Sequence, residues 1–111
     1  MRCLMKVSIP VEPGNNAISD GTLNKTIESI LTDVKPEAAY FCAENGKRTG
    51  LIFLDMKQTS DIPALAEPWF LAFNAEVEFQ PVMNAEDLKK AAPGMEKAVK
   101  SYGRAGHSAA A

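Results

Sequence analysis

The chain has 111 residues, of which 46% are hydrophobic and 23% charged, and its formal net charge is −2. This length predicts one domain over residues 1–102, followed by a loosely ordered tail over 103–111. A composition without a basic excess excludes nucleic acid as a partner, because nucleic-acid binding requires clustered lysine and arginine. The longest apolar run, residues 38–43, is too short to cross a membrane, and the N-terminus has no secretory pattern. We therefore expect a cytoplasmic protein with no membrane partner.

The first third of the chain predicts a strand followed by a helix. Residues 3–9 alternate between apolar and mixed positions, as in a strand, and the prolines and glycine that follow end it. An apolar stripe at helical spacing predicts a first helix over residues 22–34, and the preceding residues 15–21 add a helical turn. Thr22 is the expected N-cap, because its hydroxyl can accept a hydrogen bond from a backbone N–H of the first turn.

The middle of the chain predicts a hairpin. Residues 38–43 and 51–56 are rich in aromatic and aliphatic side chains and form the second and third strands. The segment between them, residues 44–50, is interpreted as the hairpin connection. Asn45-Gly46 tolerates the positive φ angles of a tight turn, so the turn itself is expected there.

The last third predicts helix, strand and helix. The second helix covers residues 62–73, and Pro68 inside it predicts a kink or a break. Residues 76–82 alternate again and form the fourth strand. A capping-box pattern opens a third helix over residues 84–102, and Pro93-Gly94 is expected to split or bend it.

This order of elements predicts an α+β fold of ferredoxin-like β-α-β-β-α-β type, with a four-stranded antiparallel sheet and an additional C-terminal helix. Right-handed crossovers and the tight hairpin give the spatial strand order 4-1-3-2. Both crossover helices then lie on one face of the sheet. The other face has no cover from the chain itself.

We call this uncovered surface the open face, and its residues follow from the alternation within each strand. On the second strand the phase is ambiguous, so either the pair Tyr40 and Cys42 or the pair Ala39 and Phe41 lies there. From the other strands the expected members are Arg2, Leu4, Lys6, Ser8, Leu51, Phe53, Asp55, Glu76, Glu78 and Gln80.

Strand pairing brings Lys6 close to Glu78 and Arg2 close to Asp55 on the open face. Apolar groups lie at its centre, with charges of both signs around them. A half-polar face of this kind predicts a homodimer that pairs sheet against sheet, with a small lined cleft between the copies.

The element order and the mixed face resemble the dimeric α/β barrel superfamily, in which two ferredoxin-like subunits pack sheet against sheet. The segment over residues 35–88 resembles small uncharacterised bacterial proteins of that superfamily. The resemblance rests on the stretches Lys-Pro-Glu-Ala-Ala-Tyr-Phe and Ala-Glu-Pro-Trp-Phe-Leu-Ala-Phe-Asn-Ala and covers about half of the chain. It implies the fold and the dimer more than any activity.

The best candidate for a site is a polar group in the predicted cleft. Glu78 in such a cleft would act as a general base, with Lys6 or Tyr40 stabilising a developing oxyanion. The alternative is a cross-strand ion pair with satisfied polar neighbours at an interface. The predicted ligand-binding residues are Lys6, Tyr40, Phe53, Trp69, Glu78 and Gln80.

Two further groups have a functional and a structural interpretation. Trp69 with Phe70 and Phe73 forms either an aromatic wall for a flat ligand or part of the core. The pair Lys47-Arg48 either binds an anion or is solvated on an exposed turn, and the second is the usual outcome for charges in a turn.

Several site types lack the residues that they need. His107 is the only histidine and lies in the predicted tail, so neither a histidine-based zinc or haem site nor a Ser-His-Asp triad is expected. No glycine-rich nucleotide motif occurs. We therefore expect neither a metal nor another cofactor. Cys3 and Cys42 are expected to be buried free thiols, with one inter-strand disulfide as the alternative.

Three functions stay open at this point. The first is a homodimer of unknown function that binds a small organic ligand between its two sheets. The second is a cofactor-independent enzyme of the dimeric α/β barrel type: an isomerase similar to muconolactone isomerase, with Glu78 or Tyr40 as proton shuttle, or a monooxygenase-like protein. The third is a structural or interaction module. Whether the protein is an enzyme is not decided by its residues.

Overall fold

The structure is a computed structural model and describes residues 1–104. It has an α+β architecture, with four strands and five α-helices in the described part of the chain. The strands are β1 (Arg2–Ile9), β2 (Ala38–Glu44), β3 (Lys47–Asp55) and β4 (Glu76–Pro81). The helices are α1 (Val11–Ser19), α2 (Leu23–Val34), α3 (Ile62–Phe73), α4 (Ala85–Lys90) and α5 (Ala92–Tyr102), and a 3₁₀ turn covers Thr59–Asp61.

The four strands form one sheet in the order β2-β3-β1-β4, and every neighbouring pair is antiparallel. This is the strand order expected from the sequence, seen from the other edge. Lys6 at the middle of β1 lies opposite Leu51 of β3 and Glu78 of β4. The register therefore places these three residues on the same face of the sheet.

The β2–β3 hairpin turns over two residues. Asn45 has φ 53° and Gly46 has φ 75°, the positive values of a type I′ turn, so the predicted turn is confirmed. The prediction that β3 begins at Leu51 is wrong, because the strand begins at Lys47 directly after the turn. Residues 47–50 are polar or small and have no apolar strand pattern, but their backbone pairs with β1 and β2.

The first helical region is longer than expected. A nine-residue helix, α1, begins directly after Pro10 and contains Pro13 in its first turn. Proline is tolerated there because the first backbone N–H groups of a helix have no partner within the helix. α2 begins after Thr22 as predicted, but the Thr22 hydroxyl donates to Asp20 Oδ1 at 2.6 Å instead of capping the helix.

Pro68 does not break α3. The helix is continuous from Ile62 to Phe73 and ends where Asn74 takes a left-handed conformation, with φ 53°. Trp69 and Phe73 from this helix pack against each other with ring centroids 6.2 Å apart. They belong to the hydrophobic core between the helices and the sheet.

The core lies on the helix-covered face, which we call the helix side. The odd-numbered residues from Cys3 to Ile9 and the even-numbered residues from Ile52 to Met56 are at most 4% exposed. The helices contribute further buried apolar side chains on this side: Ala17 of α1, Ile30 of α2, and Ala66, Trp69 and Phe73 of α3. Burial of this continuous apolar layer is the main stabilising contribution to the fold.

The C-terminal part of the described chain is separate from this core. Asn84 and Asp87 form the predicted capping box at the start of α4, and Ala91 separates α4 from α5. No residue of α5 is buried, and Val99 is 60% exposed. The radius of gyration is 19.5 Å, against about 13 Å for a compact chain of this length. We call residues 85–104 the C-terminal arm.

Both cysteines are free, but only Cys3 is buried, whereas Cys42 is exposed on β2. The expectation of two buried thiols is therefore wrong for Cys42. No helix in residues 1–104 is long and apolar enough to cross a membrane. His107 and most of the predicted tail lie outside the described residues.

Candidate functional site

The structure brings five of the six predicted ligand-binding residues to the open face. Lys6, Glu78 and Leu51 lie in register there, and Tyr40 is opposite Leu51. This pairing resolves the phase of β2, because Tyr40 and Cys42 share the open face, whereas Ala39 and Phe41 lie on the helix side. Tyr40 meets Phe53 edge to face, with ring centroids 6.5 Å apart. Gln80 lies opposite Leu4 in the same face.

The ion pairs of the open face differ from those expected. Lys6 lies opposite Glu78 in the strand register, but its ammonium group pairs with the carboxylate of Glu44 on β2. This hydrogen bond is the main cause that raises the pKa of Lys6, and the negative charge of Glu78 adds to it. Lys6 is therefore held in its charged form.

Arg2 also pairs elsewhere. Its guanidinium contacts Asp87 at the start of α4 at 2.7 Å and Glu37 at 3.3 Å. Asp55, its register partner, instead pairs with the N-terminal ammonium and with Lys57. These contacts attach the beginning of the C-terminal arm to one end of the open face.

The open face has a depression of about 510 Å³ between β1, β3 and β4. Leu4 and Leu51 line it together with Lys6, Glu44 and Glu78. The expected proton-transfer group Glu78 is exposed here and belongs to no ion pair within residues 1–104. A ligand in this depression would lie beside the Lys6–Glu44 pair.

Trp69 is not part of the open face. It lies on α3, on the helix side of the sheet, and is 1% exposed. It packs with Phe73 as expected for core, whereas Phe70 is 39% exposed and does not continue the stack into the core. The sheet therefore separates Trp69 from the other five predicted ligand-binding residues.

Trp69 instead contributes to a pocket of about 480 Å³ on the helix side. This pocket lies between α2 and the β2–β3 edge of the sheet, where the helices leave part of the sheet uncovered. The residues with side-chain or backbone atoms in its lining are Val7, Ile9, Leu23, Asn24, Ile27, Phe41, Cys42, Ala43, Arg48, Thr49, Gly50 and Trp69. We call it the helix-side pocket.

Most of the helix-side pocket is apolar. Valine, isoleucine and leucine side chains from β1 and α2 face the aromatic ring of Phe41, which is 52% exposed at the sheet edge. A Cβ atom on Gly50 would lie 3.2 Å from the Phe41 ring, so the absence of a side chain at Gly50 leaves room for that ring. The pocket is thus open to solvent at β2 and reaches the core at Trp69.

Arg48 is the only charged residue that lines this pocket within the described chain. Its Nη2 donates to Asn15 Oδ1 at 3.1 Å. Its other terminal nitrogen lies against Gly14, where a Cβ atom would be 2.6 Å from Nη1. Asn15 and Gly14, both on α1, therefore fix the position of the guanidinium group.

No acidic or histidine side chain lines the helix-side pocket among residues 1–104. Arg48 takes part in none of the ion pairs found in that range. The first turn of α2, with Leu23 and Asn24, also faces the pocket, and it has neither a side-chain cap nor an acidic residue. The carboxylate of Asp20 lies directly before this turn, where it accepts hydrogen bonds from the backbone N–H and the hydroxyl of Thr22, and its negative charge offsets the helix dipole.

The interpretation of Lys47-Arg48 as a pair solvated on an exposed turn is thus wrong. Both residues belong to β3, and because side chains alternate along a strand, Lys47 lies with the open face and Arg48 with the helix side. The sequence does indicate that these two residues lie in a strand. A two-residue Asn-Gly turn makes the residue directly after it, here Lys47, the first paired residue of the next strand.

No group of three histidine, cysteine, aspartate or glutamate side chains suited to a metal ion occurs in the part of the chain that the structure describes. Comparison of the whole chain with protein-family models and with curated proteins gave no match to either.

Proposed function

We propose that this protein binds a small, mostly apolar organic molecule in the helix-side pocket. The observation that carries the proposal is the pocket itself, about 480 Å³ in volume and lined mainly by aliphatic and aromatic side chains. Small-molecule sites in proteins usually occupy about 300–1,000 Å³ and combine an apolar lining with few polar groups. The volume and the lining both support this function.

Binding is favoured over proton-transfer chemistry in this pocket. A general acid or base must lie within hydrogen-bond reach of the reacting group. The residues that line the pocket in the described chain include no carboxylate and no histidine. The isomerase hypothesis would instead use Glu78 or Tyr40 on the open face, in the cleft of a dimer.

We also propose that the fold is ferredoxin-like, that the chain belongs to the dimeric α/β barrel superfamily and that it forms a homodimer. The antiparallel order β2-β3-β1-β4 with helices on one face is the arrangement from which a sheet-to-sheet dimer would be built. Leu4, Leu51 and Phe53 form an apolar centre of the open face, and each is half-buried in the single chain.

The C-terminal arm supports a second copy as the partner. Met95, Val99 and Tyr102 form an apolar stripe that is 48–77% exposed, with nothing in the described chain packed on it. The arm has five basic and three acidic residues, a net charge of +2, whereas residues 1–84 have seven basic and eleven acidic residues, a net charge of −4. Opposite charge favours docking of one copy's arm on the other copy's body.

The dimer is tested by sedimentation equilibrium at micromolar concentration. We expect a mass of twice the 12.0 kDa chain for the wild type, and a shift to monomer for Phe53→Glu on the open face and for Val99→Glu on the arm. Ser101→Glu is the matched control, because it adds the same charge on α5 away from the apolar stripe. A monomeric wild type would contradict the dimer. If Val99→Glu remains dimeric, the C-terminal arm does not contribute to the dimer interface.

The pocket is tested with a neutral apolar dye, N-phenyl-1-naphthylamine, and with Trp69 fluorescence. Trp69 is the only tryptophan of the chain, so its emission reports on this pocket alone. We expect dye binding that quenches Trp69 and that Ala43→Phe abolishes, because Ala43 lines the pocket on β2. Ala98→Phe, an identical change at an exposed position of α5, should leave binding unchanged. Dye binding that survives Ala43→Phe would contradict the proposal.

A further inference from the structure

The helix-side pocket combines an apolar interior with one positive charge at its edge. Arg48 is half-buried, whereas the pocket residues from β1 and α2 are aliphatic except for Asn24. A guanidinium next to apolar surface loses part of its hydration, so an anionic partner is favoured at this position. No carboxylate of residues 1–104 provides that partner.

Two residues of α1 orient the guanidinium group of Arg48. Asn15 accepts a hydrogen bond from Nη2, and the bare Cα of Gly14 leaves room for Nη1. The Asn15 amide is neutral, so it orients the guanidinium without neutralising it. A planar guanidinium held in one orientation, with some of its five donors free, matches the geometry of a carboxylate.

The start of α2 adds no positive group to the pocket, although Leu23 and Asn24 line it. The carboxylate of Asp20 lies at this helix start, where its Oδ1 accepts hydrogen bonds from the backbone N–H of Thr22 at 3.0 Å and from its hydroxyl at 2.6 Å. A carboxylate at a helix start offsets the helix dipole. The charge available to an anion in this pocket is therefore that of Arg48.

Trp69 forms the inner end of the pocket. Its Nε1 is the only buried side-chain nitrogen or oxygen of the described residues that has no hydrogen-bond partner. Buried donors are almost always paired in folded proteins. This atom is closed to solvent, so it does not face the open pocket, and Trp69 contributes apolar ring surface to the site.

We propose that the ligand of the helix-side pocket is a carboxylate with an apolar body, bound through Arg48. This inference rests on the proposed function, because it names the chemical class of molecule that the same pocket takes. The apolar body lies against Phe41 and the aliphatic residues, and the carboxylate lies at Arg48. Neither a neutral hydrocarbon nor a small inorganic anion uses both parts of the pocket.

The test compares acids with their amides by Trp69 fluorescence and isothermal titration calorimetry. Phenylacetate and hexanoate provide a ring and a chain as the apolar body, and phenylacetamide and hexanamide replace only the charge. Acetate and inorganic phosphate provide the charge without the body. We expect each acid to bind about tenfold more tightly than its amide, as for a charge-assisted hydrogen bond at a partly exposed site.

The contribution of Arg48 to acid binding is tested with the variant Arg48→Gln. This change should weaken acid binding about tenfold and leave amide binding unchanged, since only the acid uses the charge. Lys47→Gln is the matched control, because it removes the neighbouring positive charge from the other face of the same strand. Asn15→Ala, which releases the guanidinium but keeps its charge, should give a smaller loss of acid binding.

The outcomes separate the two proposals. If the neutral dye binds but acids and amides bind equally, the carboxylate is wrong and the pocket stands. If Lys47→Gln weakens acid binding as much as Arg48→Gln, general charge attraction explains the preference and the site at Arg48 is wrong. If phosphate or acetate competes as well as phenylacetate, the apolar body makes no contribution. If the dye does not bind either, the proposed function itself fails.

Discussion

The two faces of the sheet use the same strands in different ways. On β1 the odd-numbered residues from Cys3 to Ile9 are at most 4% exposed under the helices, whereas the even-numbered residues from Arg2 to Ser8 are all half-buried. The helix side also contains the apolar pocket with Arg48, and the open face contains the Lys6–Glu44 ion pair. Alternation alone therefore distinguishes the faces, but the cover on each face determines its chemistry.

The largest expected effect concerns two neighbouring residues of β3, one on each face of the sheet. Ile52 on the helix side is 0% exposed, and Leu51 on the open face is half-buried. Ile52→Ala should lower the free energy of unfolding by about 2–5 kcal/mol, because it leaves a cavity in the core. Leu51→Ala should lower it by about 1 kcal/mol, since less apolar surface is lost. Urea unfolding by circular dichroism at low protein concentration measures both, and equal losses would show that the two faces are equally important to the single chain.

The second test moves Arg48 without replacing it. Gly14→Ala places a Cβ atom where the guanidinium now lies, 2.6 Å from Nη1, and the flexible end of Arg48 must shift. We expect phenylacetate to bind about three- to tenfold more weakly, because the charge-assisted hydrogen bond loses its geometry. Gly94→Ala is the control, since nothing lies within 4 Å of the added Cβ atom on α5. Unchanged acid binding in Gly14→Ala would mean that the orientation of Arg48 has no role in recognition.

The smallest effect concerns an exposed group at the end of β3. Lys57, and after it the N-terminal ammonium, lower the pKa of Asp55 from 3.8 to about 2. An acid whose pKa is lowered by folding stabilises the fold above its ordinary pKa, and this contribution is lost as the pH falls through the folded value. The difference in Tm between the wild type and Asp55→Asn should therefore be present at neutral pH and disappear between pH 3.8 and about 2.

Asp33→Asn is the control for this test. Asp33 is exposed on α2 and belongs to no ion pair within residues 1–104. Its Tm difference from the wild type should not show the same change with pH. If both variants behave alike over this range, the contacts of Asp55 do not contribute measurably to stability.

The strands and their order follow from the sequence because two local patterns determine them. Period-two alternation identified β1 and β4, and Asn45-Gly46 fixed the hairpin. The start of α1 was missed because Pro10 and Pro13 were interpreted as terminators. Proline is compatible with a first helical turn, so the same residues can end a strand and begin a helix.

The candidate site was less predictable because it depends on where helices stop covering the sheet. The open-face residues followed from alternation, and five of the six predicted ligand-binding residues share that face. The helix-side pocket arises from the gap between α2 and β2, which no local pattern encodes. Strand register also does not predict the ion-pair partners, since the long Lys6 side chain reaches across β3 to Glu44 on β2 and not to its register partner Glu78.

The hairpin register has a consequence for how this pocket can change during evolution. Lys47 and Arg48 are adjacent, and strand alternation allows only one of them to face the pocket. A shift of β3 by one residue would exchange the two cations, but it would also expose Ile52 and Leu54 and bury Leu51 and Phe53. The requirement for a buried core thus also selects arginine instead of lysine as the cation at the pocket. Substitutions that preserve core packing preserve the position of that charge, whereas the lining on β2 and α2 is free to diversify.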